Sequence, residues 1–134
     1  MSHPRILMLE YDQDDRYISK EFFSQADKKV ELDFVTNAED FMISLESKAK
    51  PSLILMNQNA SPFGVIKLIT EIKSKKEFRH IPVVVLGDLD HSDHARQYYE
   101  AGACSFIQKP VTYQETQKKI ATFIAYWFET VGLV

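Results

Sequence analysis

Four short apolar runs, each stopping on a polar or small residue, limit what this chain can fold into more than any other feature. Ile6-Leu7-Met8-Leu9 stops at Glu10, Leu53-Ile54-Leu55-Met56 at Asn57, and Val83-Val84-Val85-Leu86 at Gly87, while Phe106-Ile107 leads through Gln108 to Lys109. The first run is too short and too uniformly apolar for a surface strand, which predicts a central one buried on both faces. Val30, Leu32 and Phe34 alternate with Glu31 and Asp33, the period of a strand with one wetter face. Helix-period segments separate all of these runs, and such alternation argues for βαβ units and a parallel sheet.

The intervening segments carry their own boundaries. A first helix is expected from about Asp14 to Ala26. Thr36-Asn37-Ala38-Glu39 has capping-box form and should open the second. Val65, Leu68, Ile69 and Ile72 keep helical spacing in a third, after a loop containing Ser61-Pro62. Ile81-Pro82 is expected to begin the fourth strand, since proline is tolerated at a strand's first residue. A fourth helix, about His91 to Ala101, should stop at Gly102. The last is expected from Tyr113 to Val131, with Ile120, Phe123, Ile124, Trp127, Phe128 and Val131 at three- and four-residue steps. Five strands and five helices in alternation give an α/β, doubly wound parallel sheet, where ligands sit at the carboxyl ends of the strands. Glu10, Asn57, Gly87 and Lys109 fall at those ends.

Composition narrows the rest. A chain of 134 residues suits a single domain, residues 1–134, large enough to bury its own core. A formal charge of −3 gives no general pull toward nucleic acid or an anionic membrane. No apolar run approaches the roughly 20 residues needed to cross a bilayer, and no signal peptide opens the sequence. The single cysteine, Cys104, excludes an internal disulfide, and the chain is read as cytoplasmic. No Gly-rich phosphate loop follows the first strand, which weakens a nucleotide- or flavin-binding reading.

The strand-end residues, with RILMLEYDQDD before them and the closing Lys109-Pro110, resemble the response-regulator receiver domain of two-component signalling, in particular its small stand-alone members. The resemblance covers essentially the whole chain and implies the flavodoxin-like receiver fold. It implies that Glu10 stands for the first acid of the family's acidic pair and Tyr11 for the second, which usually ligates magnesium. Asp12 follows in the loop, and Asp14-Asp15 match the trailing acids. Asn57 stands at the phosphorylated Asp, Ser61 at a proline common a few residues later, and Gly64-Val65 at an Asp-Gly pair. Gly87 stands at the Thr or Ser that ordinarily contacts the phosphoryl group. Lys109-Pro110 is retained, and Phe106 holds the aromatic switch position without a hydroxyl.

An amide is far too poor a nucleophile to replace a carboxylate in phosphoryl transfer. A hard cation also needs several anionic oxygens at fixed positions. The site is therefore read as a degenerate phosphoacceptor, with no catalytic residue, no metal and no cofactor. Mg2+ enters only under an alternative in which a displaced residue, Asp12 or Ser61, accepts phosphate. Lys109 is expected to pair with Glu10 or to reach the Asn57 carbonyl oxygen. Asn57 is either a fixed mimic of one signalling state or an inert remnant that keeps the shape.

Each remaining feature has a plain reading beside its functional one. Tyr11 is expected to fill the former metal pocket, since a bulky aromatic at a strand end seeks burial. Asp12 is expected to cap the first helix. His91 and His94 have a metal-compatible spacing but no third ligand, so a solvated face is the reading. Cys104 is expected to be buried and unreactive. Phe106 is either a frozen switch or plain core. Tyr98, Tyr99, Tyr126 and Trp127 cannot all be buried at helical spacing; one or two are expected to serve an interface. The chain is thus expected to be a non-enzymatic binding module. Its partners would be a histidine kinase or a downstream effector, with a homodimer through the aromatic face as a further arrangement.

Overall fold

The computed structural model describes residues 4–47, 49–58, 62–88 and 93–134. Strand β1 (Arg5–Leu9) is followed by α1 (Gln13–Ser24), β2 (Glu31–Val35), α2 (Ala38–Ser47) and β3 (Leu53–Asn57). Next come α3 (Pro62–Ser74), β4 (Val83–Gly87), α4 (Asp93–Ala101), β5 (Ser105–Gln108) and α5 (Tyr113–Ile124), whose last turns widen into a π-helical segment, Ala125–Thr130. The strands form one sheet in the order β2-β1-β3-β4-β5, and every pairing is parallel. This is the doubly wound arrangement expected from the sequence. The strand order reverses at β1 and β3, so the crevice between their carboxyl ends is where such a sheet places its site.

Alternation along the strands divides the core in two. Leu7, Ile54, Met56, Val83 and Val85 face α2, α3 and α4, where they meet Phe41, Leu45, Leu68, Ile69, Ile72 and Tyr98. Ile6, Met8, Leu53, Leu55 and Val84 face the opposite way, against Phe23, Phe123, Ile124 and Trp127. β3 is buried at all five positions, which is why its run reads as unbroken apolar residues. Between α1 and α5 a cavity of about 180 Å³ remains, walled by residues such as Met8, Phe23, Leu55 and Phe123, with Glu10, Asn57 and Lys109 among its polar lining.

Several boundaries differ from expectation by local chemistry. The cap of α2 is Asn37, one residue after Thr36: its Oδ1 accepts from the Asp40 N–H at 2.8 Å, and its Nδ2 donates back to Asp40 Oδ2 at 2.9 Å. Strand β4 begins at Val83, although the Pro82 carbonyl already accepts from the Ile54 N–H at 2.9 Å. Gly102 ends α4 with φ 123°, a conformation that a Cβ would strain. The π-helical close of the last helix is marked by the Val131 N–H reaching the Tyr126 carbonyl at 2.8 Å. Ser61 and His91 lie outside the described residues.

Candidate functional site

The site is assembled where β1, β3 and β4 end. Glu10 directly follows β1, and its backbone N–H still donates to the Val35 carbonyl at 2.9 Å. Asn57 is the last residue of β3 and pairs with Leu86 on β4. Lys109 follows β5, fixed by its N–H donating to the Gly87 carbonyl at 2.8 Å. The ladder therefore sets the backbone positions of all three to within a residue.

Glu10 is buried, and its Oε1 accepts a hydrogen bond from the Asn57 side-chain amide. Its other oxygen accepts a long bond, 3.4 Å, from the Asp12 N–H. Burial pushes the Glu10 carboxyl above its ordinary value; the Asn57 and Asp12 donors pull it back, Asp15 raises it and Lys109 lowers it. Lys109 does sit close enough to act on Glu10, but it also forms an ion pair, at 4.0 Å, with Asp15. The sequence marks Asp15 only as a trailing acid of the loop, so this second partner is a finding of the structure.

Asp12 turns away from the crevice: it caps α1, accepting from the Asp15 N–H at 2.9 Å. Tyr11 does not fill a pocket. It is 52% exposed, and Arg16 reaches back to donate to the Glu10 carbonyl at 3.0 Å and the Tyr11 carbonyl at 2.8 Å. That strap ties the loop backbone to α1.

The residue that sequence reasoning misses is Gln58. It is 3% exposed, its N–H extends the β3–β4 ladder to the Leu86 carbonyl at 2.9 Å, and its Oε1 accepts from the Tyr98 hydroxyl at 2.9 Å. A Cβ at Gly87 would overlap Gln58 Oε1 and lie 2.7 Å from Phe106 Cε2. Any side chain at 87 would therefore oblige the Gln58 amide and the Phe106 ring edge to move. The signal is present in principle: a missing side chain at one strand end leaves room that a long polar neighbour can enter.

The four aromatic candidates separate cleanly. Tyr98 is fully buried, its ring stacked on Phe106 at 5.8 Å and 18°, and Trp127 is also buried, so neither is a surface anchor. Tyr99 and Tyr126 are about half exposed, at 49% and 54%. Tyr99 also supports the sheet edge, since its hydroxyl accepts from the Phe106 N–H at 2.9 Å on the open side of β5. Cys104 is exposed rather than buried, although its thiol turns onto the Val83 carbonyl at 3.3 Å, and the desolvation there raises its pKa. It stands just before β5, an edge strand of the sheet.

A divalent cation fits this donor set poorly. Glu10 already accepts an amide hydrogen, Asp12 is committed to a cap, and Tyr11 brings no carboxylate. Among the described residues, no three acidic, histidine or cysteine side chains gather as a metal site would require.

Comparison with known proteins agrees with this architecture. The response regulator receiver domain model matches residues 6–121. Response regulator Rcp1 of Synechocystis is 28% identical over 88 residues, covering 66% of this chain and 60% of that protein. The probable methanogenesis regulatory protein FilR2 of Methanothrix harundinacea is 26% identical over 80 residues, 60% of this chain and 52% of that one. The matched segment thus spans between half and two thirds of the length of these relatives. Among solved structures, the phosphorylated cyanobacterial phytochrome response regulator RcpA superposes with a TM-score of 0.87 at 22% identity, covering 98% of this chain and 99% of that one. The Mn(2+)-bound form of Rcp1 superposes with a TM-score of 0.85 at 25% identity, covering 98% and 99%. With the family model spanning most of its length and the five-stranded sheet in place, the chain belongs to the response regulator receiver domain family, a module of two-component signalling.

Proposed function

We propose that this chain is a pseudo-receiver: a non-enzymatic signalling module that acts by protein–protein contact without being phosphorylated at position 57. The observation that carries this reading is the Asn57 amide donating to the buried Glu10 carboxylate. That bond puts a hydrogen-bond donor, with no nucleophilic oxygen anion, at the point where the family reaction needs a carboxylate. It also occupies one oxygen of the buried acid of the crevice.

A displaced acceptor has less support. Asp12, the acid next in the loop, is held in its capping bond to the Asp15 N–H. The proposed partners are a histidine kinase or a downstream effector, met at the surface that carries Tyr99 and Tyr126. No helix among the described residues is long and apolar enough to cross a membrane; a cytoplasmic location is part of the proposal.

The reading is tested by recording amide proton–nitrogen NMR spectra of the native chain before and after adding Mg2+ and a small acyl phosphate. Unmoved resonances at residues 10, 57, 58 and 109 are expected. Shifts of those resonances that require the phosphodonor would remove the reading.

A further inference from the structure

Gln58 occupies a place that nothing in the phosphoacceptor chemistry accounts for. It is buried beside Asn57, yet it points away from Glu10 and into the opposite core, toward α4. Three observations converge there. The Tyr98 hydroxyl donates to Gln58 Oε1 at 2.9 Å, and burial raises the Tyr98 pKa to about 12, so that hydroxyl keeps its proton and remains a donor. The Tyr98 ring stacks on Phe106. Gly87 leaves open the volume that the Gln58 amide oxygen and the Phe106 ring edge both enter.

The contact path is continuous. It runs from the end of β3 through Gln58 to α4 at Tyr98, and from Tyr98 to β5 at Phe106. The next residue of α4, Tyr99, binds the Phe106 N–H while exposing half of its ring. Tyr98 and Tyr99 thus both meet Phe106, one at its ring and the other at its backbone N–H.

We propose that Gln58, admitted by the absent side chain at Gly87, is a fixed latch that holds Tyr98 and Phe106 inward and keeps the α4–β5 face in one arrangement whatever stands at position 57. The latch deepens the pseudo-receiver reading and rests on it for its signalling meaning. A buried hydrogen bond whose partners are already desolvated is costly to break, because the freed oxygen has no water to turn to. Gln58 Nε2 is buried without a partner among the described residues, so the amide keeps its place through the Tyr98 bond and packing alone. The latch is consequently sensitive to any atom added at position 87.

The test uses the full chain labelled with 3-fluorotyrosine, whose Tyr98 and Tyr99 fluorine lines are assigned by Tyr98→Phe and Tyr99→Phe. Gly87→Ala forces the added methyl into Gln58 and Phe106; it is expected to move the Tyr98 line and to lower Tm by about 5 °C. In a Gln58→Ala background the same change should cost less than half as much. Equal losses in the two backgrounds would overturn the latch. Should Gly87→Ala fail to fold, Gln58→Ala and Tyr98→Phe form a second cycle: together they should cost no more than the larger single loss, and strict additivity would overturn the proposal. The Asn57→Asp variant, with or without Mg2+ and acyl phosphate, should leave the Tyr98 line unmoved; a shift there sinks the latch. Phosphoryl gain by the native chain would instead remove the pseudo-receiver reading while leaving both cycles interpretable.

Discussion

Asn57 and Glu10, 47 residues apart in sequence, meet as donor and acceptor at the ends of β3 and β1, in the crevice of the receiver fold. Replacing Asn57 with Asp turns an attraction into a like-charge contact between two carboxylates, with Asp15 nearby and Lys109 as the cation. The Asn57→Asp variant is expected to lose several degrees of Tm at pH 7 in a chelating buffer. Millimolar Mg2+ should recover most of that loss in the variant and change the native chain by less than a degree. Thermal denaturation monitored by circular dichroism, with and without Mg2+, checks both halves.

Glu10 makes stability depend on pH in a stated direction. Its folded-state pKa is raised above the ordinary 4.5, chiefly by burial, so ionising it opposes folding. Its contribution is fully present below pH 4.5 and is lost as the pH climbs through the raised folded-state value. Glu10→Gln keeps an oxygen that can accept from Asn57 but cannot ionise. The variant's Tm relative to the native chain should therefore rise with pH from about 4.5 upward and then level off. A Tm difference that stays flat across the acidic and neutral range would show that Glu10 does not titrate in this way.

Asp12 is a cap, and its loss should cost what caps cost. Asp12→Ala is expected to destabilise the chain by about 1 kcal/mol, measured by urea denaturation, with Asp12→Asn nearly neutral because asparagine also accepts from an N–H. Equal losses for both substitutions would point to a role for the carboxylate charge.

The four aromatics of the last two helices should divide in two. Trp127→Ala removes a buried side chain and is expected to cost about 3–5 kcal/mol. Tyr98→Phe leaves Gln58 Oε1 without its donor and is expected to cost about 1–3 kcal/mol. Tyr126→Ala, at an exposed position, should change stability by no more than about 0.5 kcal/mol while weakening partner binding. Denaturant titration of the three variants separates the groups.

Much of this fold is legible in the sequence because strands buried on both faces have to read as apolar runs, and here all five positions of β3 are buried. The ends of those runs mark where Glu10, Asn57, Gly87 and Lys109 stand. Side-chain directions are less accessible. Tyr98 and Tyr99 are neighbours on one helix, about 100° apart, and composition does not say which one turns inward; the small residues Ala95 and Ala101, three positions to either side of Tyr98, are the available clue. Tyr11 is large enough to favour burial, yet it stands exposed in the loop after β1, where no strand or helix period says which way a side chain turns. Gln58 is hidden because its role depends on an atom that Gly87 lacks.

The most direct measurement is the intact mass of the native chain and of Asn57→Asp after incubation with Mg2+ and a small acyl phosphate. The account predicts no added phosphoryl group on the native chain. A gain by Asn57→Asp alone would further identify position 57 as the disabling change. A gain of one phosphoryl group by the native chain would contradict the account and direct the search to a displaced acceptor.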